Sequence, residues 1–180
     1  MIYVVRHGQT DYNKEQRMQG RSGLPLNEHG IIQANQLRER LRDVTFNFVF
    51  SSPQERAVQT AEIATGATAI IDARLDAFDL GEADKLKASE VKMKGFTPDS
   101  SVYKGVEETD LFAERVFSFM SELQAMNEGK EVNILISGHA CTTGCIGAYF
   151  NGIPDDGNIT RYSSANWDYK TYEFKSLMGD

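Results

Sequence analysis

Arg6-His7-Gly8 follows the apolar run Ile2-Tyr3-Val4-Val5 directly, so a histidine and an arginine stand where a short buried strand breaks into a loop. Those residue types side by side point to phosphoryl chemistry. A neutral imidazole nitrogen can attack phosphorus, and a guanidinium presents a rigid fork of donors that matches phosphate oxygens better than a lysine does. Two further clusters share this character: Ser51-Ser52-Pro53 with Arg56 and Gln59-Thr60-Ala61, and Ser137-Gly138-His139 after another apolar run. Taken singly, each histidine reads as a backbone-bonded residue at a strand end and each arginine as half of a surface ion pair. The joint order carries the chemistry, because propensity alone has no reason to place all of them at strand and helix ends.

The elements that must position these residues alternate. Ile2 to Val5 and Phe46 to Phe50 read as strands, the second with Phe46, Phe48 and Phe50 on one face and Val49 on the other. Asn27 to Arg42 spaces Ile31, Ala34, Leu37 and Leu41 as the apolar stripe of a helix. Ser52-Pro53-Gln54-Glu55 has the form of a helix start, with serine as N-cap and proline at the first helical position, which puts Arg56 in the first turn. Ala69 to Ile71 reads as a short strand, Leu111 to Met126 as a helix through Phe112, Val116, Phe119 and Leu123, Val132 to Ile136 as a buried strand, and Ala140 to Phe150 as a helix. Strands separated by helices predict an α/β fold of three layers, with a mainly parallel central sheet covered by helices on both faces. Ligands of such sheets bind beyond the carboxyl ends of the strands, where His7, Ser51-Ser52 and His139 all fall.

With 180 residues, 41% of them hydrophobic, the chain is predicted to form a single domain over 1–180. The stretch 83–104, with lysines at 85, 87, 92, 94 and 104 against Asp84, Glu90 and Asp99, reads as an insertion covering the substrate or as a solvated charged surface. A formal charge of −7 argues against nucleic-acid or anionic-membrane partners, so any anion site must be locally basic. The chain starts on a strand and carries no long apolar run, which predicts a cytoplasmic protein. Cys141 and Cys145 read as buried small residues of a reducing compartment, and three dispersed histidines show no metal-ligand spacing. His29 reads as a solvated turn residue.

The triplet Arg6-His7-Gly8-Gln9-Thr10 with Asn13, the run Pro25-Leu26-Asn27-Glu28-His29-Gly30 with Gln33-Ala34, and the clusters at Ser51 and Ser137 together resemble the histidine phosphatase superfamily, in its phosphoglycerate-mutase-like branch. The resemblance runs over nearly the whole chain. It implies that His7 is the nucleophile and becomes phosphohistidine, that Arg6 and Arg56 clamp the phosphoryl oxygens, and that His139 donates to the same oxygens. Asn13 and Gln19 are the further phosphate contacts it implies. No metal or other cofactor is implied, and the partner is a small phosphorylated metabolite. One departure stands out. Relatives carry a glutamate, the general acid, two residues after a leucine and four before a glycine; between Leu75 and Gly81 that position holds Ala77. Asp76, Asp79 and Glu82 are nearby carboxylates, and Glu82, after the glycine turn, is the expected substitute. The resemblance therefore implies a phosphomonoesterase. Its rivals are a mutase, for which family members use longer segments between the two halves of the site, and a phosphate-binding pseudoenzyme, which Ala77 makes credible.

Overall fold

The computed structural model describes residues 1–175; of the domain expected over 1–180, the last five residues lie outside them. The elements are β1 (Ile2–Arg6), α1 (Asp11–Lys14), α2 (Glu28–Arg40), β2 (Phe48–Ser51), α3 (Glu55–Thr65), β3 (Ile70–Ile71), β4 (Met93–Lys94), β5 (Thr97–Pro98), α4 (Thr109–Asn127), β6 (Ile134–Gly138), α5 (Ala140–Asn151) and β7 (Tyr169–Tyr172). Five strands form one sheet in the order β3-β2-β6-β1-β7. Pairing is parallel except at β7, which runs antiparallel along β1.

Alternation along the strands explains the three layers. Ile2 and Val4 of β1 and Ile134 and Ile136 of β6 point to one face, where they pack with Phe112, Val116 and Met120 of α4 and Ile146 of α5. Val5 and Leu135 point to the other, against Leu37 of α2 and Ala61 and Ala64 of α3. A central strand buried on both sides must be apolar throughout, as β6 is. Each of Ile134, Leu135 and Ile136 is 0% exposed and contributes roughly 1.5–3 kcal/mol by burial.

Three local expectations are corrected. Ile31 lies outside the buried stripe of α2, at 40% exposed; Gly30, Gln33, Ala34 and Leu37 face inward instead. Phe46 precedes the strand and packs on Tyr3, ring to ring at 5.2 Å, away from the face that Phe50 presents to Phe119. The pleat cannot fix its direction, because it lies outside β2. Ser52 is not the cap of α3, whose N-cap is Gln54; the hydroxyl accepts from the Gln54 N–H at 3.2 Å in a turn before the helix, and the proline is thereby placed ahead of the first turn. His29 sits inside α2 and is exposed.

Glycine matters at the junction of the first loop with α2. A Cβ on Gly8 would lie 2.7 Å from the Gly30 carbonyl oxygen, and one on Gly30 would overlap the carbonyl oxygen of Gln9. Helix propensity alone favours alanine over glycine by about 1 kcal/mol. Here backbone crowding wins, so Gly30→Ala is expected to lower stability by about 1–3 kcal/mol, read from the urea midpoint. A midpoint that rises would show that the loop and helix part easily.

Candidate active site

The parallel registers bring three chain segments out of the sheet at one level. Arg6 pairs with Gly138 and Ser51 with Ser137, so His7, Ser52 and His139 follow immediately. The His7 N–H donates to Gly138 O at 3.0 Å and the Ser52 N–H to Ser137 O at 3.0 Å, extending the ladder past the strand ends. The rings of His7 and His139 lie 5.3 Å apart, centroid to centroid.

The loop carrying the histidine is tied from several sides. Thr60 Oγ1 accepts the Gly8 N–H at 3.0 Å, and Gln33 Oε1 accepts the Gln9 N–H at 2.8 Å. Gln59 Oε1 accepts the Leu26 N–H at 2.8 Å. From the far end of the chain, Asn166 Nδ2 donates to His7 O at 2.9 Å, and Arg6 Nη1 donates to Ser164 O at 3.1 Å.

Hydrogen bonding sets the tautomers. Nδ1 of His7 lies 2.7 Å from Gly8 O; a carbonyl only accepts, so Nδ1 carries the proton and Nε2 holds the lone pair. For His139, Nε2 lies 2.7 Å from Ser52 Oγ. The buried Ser52 hydroxyl has no other acceptor for its hydrogen among the described residues, so the hydrogen goes to Nε2, and the ring proton of His139 sits on Nδ1. Burial, with the positive charges of Arg56 and Arg6, pushes His7 down to about 3, and burial with Arg56 and His7 holds His139 well below the ordinary histidine range. Both rings are neutral near pH 7.

Four buried side-chain nitrogens have no hydrogen-bond partner among the described residues: Arg6 Nε, Gln19 Nε2, Arg56 Nε and His139 Nδ1. In the tautomer above all four are donors. Gln19 is oriented by its other end, where Oε1 accepts from Leu24 N–H at 3.2 Å and from Thr10 Oγ1 at 2.9 Å. Arg6, His7, Asn13, Gln19 and His139 line one cavity of 240 Å³. Arg56 is not in its lining. It lies beneath, 1% exposed, with Nη2 donating to Gly20 O at 2.6 Å and no room for a side chain at Gly23, where a Cβ would overlap the guanidinium. Burial lowers Arg56 to about 10, which leaves it charged near neutrality. Asn13 faces the cavity but spends its Oδ1 on the Thr10 N–H and hydroxyl, at 3.0 and 3.1 Å, which leaves the amide NH2 as its free group.

Ala77 lies on the cavity wall, 1% exposed. Arg115 of α4 holds it there: Nη2 donates to Ala77 O at 3.0 Å and Nη1 to Asp76 O at 2.9 Å, while Nε donates to the Glu107 carboxylate at 2.8 Å. Glu82, the expected substitute acid, is corrected. It is exposed, outside the cavity lining, and its Oε2 accepts the Lys104 N–H at 2.9 Å, because the turn at Gly81 directs it to the Lys104 segment. Asp76 is also committed elsewhere, its Oδ1 accepting from Gln54 Nε2 at 2.9 Å and the Ala77 N–H at 2.7 Å. Among the described residues no Asp or Glu lines the cavity.

Sequence reading missed the positioning residues Ser164, Asn166 and Arg115, and the cavity-lining Phe96 and Cys141. The Cys141 thiol is pushed up to about 11 by burial and stays neutral. Among the described residues no three His, Cys, Asp or Glu side chains group to hold a metal, and no helix is long and apolar enough to cross a membrane. A more open depression of 1210 Å³ between the end of α4 and residues 173–175 contains no histidine or cysteine.

A family model described as histidine phosphatase superfamily (branch 1) matches residues 2–176. The protein named probable phosphoglycerate mutase GpmB from Klebsiella pneumoniae is 32% identical over 165 residues, covering 85% of this chain and 75% of that protein. The structure of a mycobacterial glucosyl-3-phosphoglycerate phosphatase is 25% identical with a TM-score of 0.79, covering 93% of this chain and 90% of its own. A phosphoglycerate mutase from Thermus thermophilus shares the fold at 24% identity and a TM-score of 0.69, with 93% and 90% covered. With that family model spanning residues 2–176, the chain belongs to the histidine phosphatase superfamily, branch 1.

Proposed function

We propose that the protein is a metal-independent phosphatase that hydrolyses a small phosphate monoester through a phosphohistidine on His7. The observation that carries this reading is the set of unpartnered donors on Arg6, Gln19, Arg56 and His139. Buried donors demand acceptors, and a phosphoryl group is a compact set of acceptors with negative charge. Two guanidinium groups supply the neutralisation that a metal supplies in other phosphoryl-transfer sites.

The chemistry follows from the tautomers. Nε2 of His7 attacks phosphorus in line with the ester oxygen, whose P–O bond breaks and carries its electron pair away on the leaving oxygen, while Nδ1–H stays bonded to Gly8 O and stabilises the positive ring as the N–P bond forms. Arg6, Gln19 and His139 Nδ1–H hold the equatorial oxygens, with the Arg56 charge beneath them. Water then attacks the phosphohistidine and the pair of the N–P bond returns to Nε2. A mutase remains the second reading, favoured by the 32% identity to the Klebsiella protein named as one. Against it, Arg17, also on the cavity wall, is paired through Nε with Glu15 at 2.7 Å, which competes with a substrate carboxylate for that guanidinium.

Three outcomes test the reading. Quenching turnover of labelled ester in base, with chelator present throughout, is expected to leave the label on His7, and His7→Ala is expected to lose on the order of 10³-fold or more in kcat/KM; a label elsewhere, or activity abolished by chelator, would count against it. Arg56→Ala is expected to weaken inorganic phosphate binding by about 2 kcal/mol or more, and more than Arg56→Lys, which keeps the charge beneath the cavity; calorimetry showing no change in either would make Arg56 a purely structural residue.

The third concerns acid. His7 is neutral when folded down to about 3 but takes a proton below its ordinary 6.5 when unfolded. Between those values the unfolded chain binds the extra proton, so the contribution is intact above the upper value and is lost as pH falls toward the lower. Wild-type stability is therefore expected to decline more steeply with acid than that of His7→Asn, by up to about 1.4 kcal/mol per pH unit in that window, read from urea midpoints. Parallel curves would mean that His7 is protonated in the folded protein.

A further inference from the structure

Beyond its donors, the cavity wall is apolar. Met18, Ala77, Phe78, Leu80, Phe96 and Pro98 line it. Phe96 is placed by a tight hairpin: Lys94 pairs with Thr97 and Met93 with Pro98, and Gly95, at φ +69°, takes the first position of a two-residue turn that a side chain would strain. The hairpin lies within the stretch 83–104, which is also pinned to the first loop by Met18 N–H donating to Leu86 O at 2.7 Å and Lys85 N–H to Met18 O at 2.9 Å.

Two properties of this wall bear on the leaving group. Among the described residues no carboxyl lines it, so a departing oxygen meets no carboxylic acid from them. Its volume of 240 Å³ is below the roughly 300–1,000 Å³ of sites for drug-sized ligands, which limits the leaving group to about one ring beside the phosphoryl group.

We infer that the substrates are phosphate monoesters of small aromatic alcohols, with the phosphoryl group on the Arg6, Gln19 and His139 donors and the ring against Phe96, Phe78 and Leu80. This rests on the phosphatase reading above. A phenol ionises near pH 10, as tyrosine does, so a phenoxide departs without a proton. An alkoxide needs one, and lack of a general acid costs alkyl esters a factor of about 10²–10⁴. In the first step the Nε2 lone pair of His7 forms the N–P bond, the P–O bond to the ring breaks, and its electron pair leaves on the phenoxide. In the second, water attacks phosphorus and the N–P pair returns to Nε2. One hydrogen of that water remains on the product phosphate; the other reaches the phenoxide through solvent.

The test compares phenyl phosphate with glycerol phosphate in the wild type, Ala77→Glu and Phe96→Ala, and measures inhibition by inorganic phosphate in each as the check on fold and phosphate site. The wild type is expected to favour phenyl phosphate in kcat/KM by about 10²–10⁴. Ala77→Glu, which places a carboxyl on the cavity wall, is expected to narrow that ratio at least about tenfold by accelerating the alkyl ester. Phe96→Ala is expected to raise KM for phenyl phosphate about tenfold while inhibition by inorganic phosphate stays the same. Equal wild-type turnover of the two esters would overturn the aromatic preference alone. So would an unchanged ratio in Ala77→Glu, or an unchanged KM in Phe96→Ala, where phosphate inhibition is intact. A wild type that is inhibitable in binding by phosphate yet hydrolyses neither ester overturns the phosphatase reading and this inference with it.

Discussion

The parallel pairing of β6 with β1 on one side and β2 on the other sets the level at which every reacting group leaves the sheet. Parallel strands end together only if their registers agree, and a slip of one residue would send each side chain to the opposite face. With Arg6 opposite Gly138 and Ser51 opposite Ser137, His139 emerges with His7 on one side and Ser52 on the other. The apolar faces of β1 and β6 enforce that register, since either slip would expose Leu135 or Val5 to the wrong core. Packing energy spread over two layers thus becomes positional accuracy at one point.

The chemistry of that point depends on burial acting differently on different groups. A chain with a net charge of −7 holds two arginines where little solvent reaches, and their fields fall on two histidines that burial already disfavours as cations. Neutral imidazoles result, one with a free lone pair and one with a free N–H. Arg56 keeps its charge in this setting because Asp84 and Asp76 act on it from a distance, offsetting part of the cost of burial. The neutral histidines and the charged arginine are products of the same dry environment.

The histidines and arginines were legible because each follows an apolar strand or opens a helix, and strand ends are where such sheets expose chemistry. The layer order was legible from the alternation of strand and helix periodicities. Ser52 was legible as a residue at a helix start but not as the partner of His139, since a serine before a proline carries the same local signal either way. Glu82 was misplaced because sequence places a residue after a turn without giving the direction in which the turn points it. Ile31 has the spacing of a core residue, and only the close approach of Gly30 to Gln9 shows which way the helix is rotated. Ser164 and Asn166 left no trace, because they act through backbone and amide groups that any sequence can supply.

Those last two residues tie the chemistry to the order in which the chain is made. Arg6 leans on Ser164 and the His7 carbonyl on Asn166, separations of 158 and 159 residues, while β1 finds both its sheet neighbours only in β6 and β7. During vectorial synthesis His7 emerges well ahead of residues 134–172, and the strand bearing it has no sheet partner until they have followed. A nascent chain truncated before residue 164 carries His7 without the contacts that aim it, so the site is assembled only after this closing segment has followed.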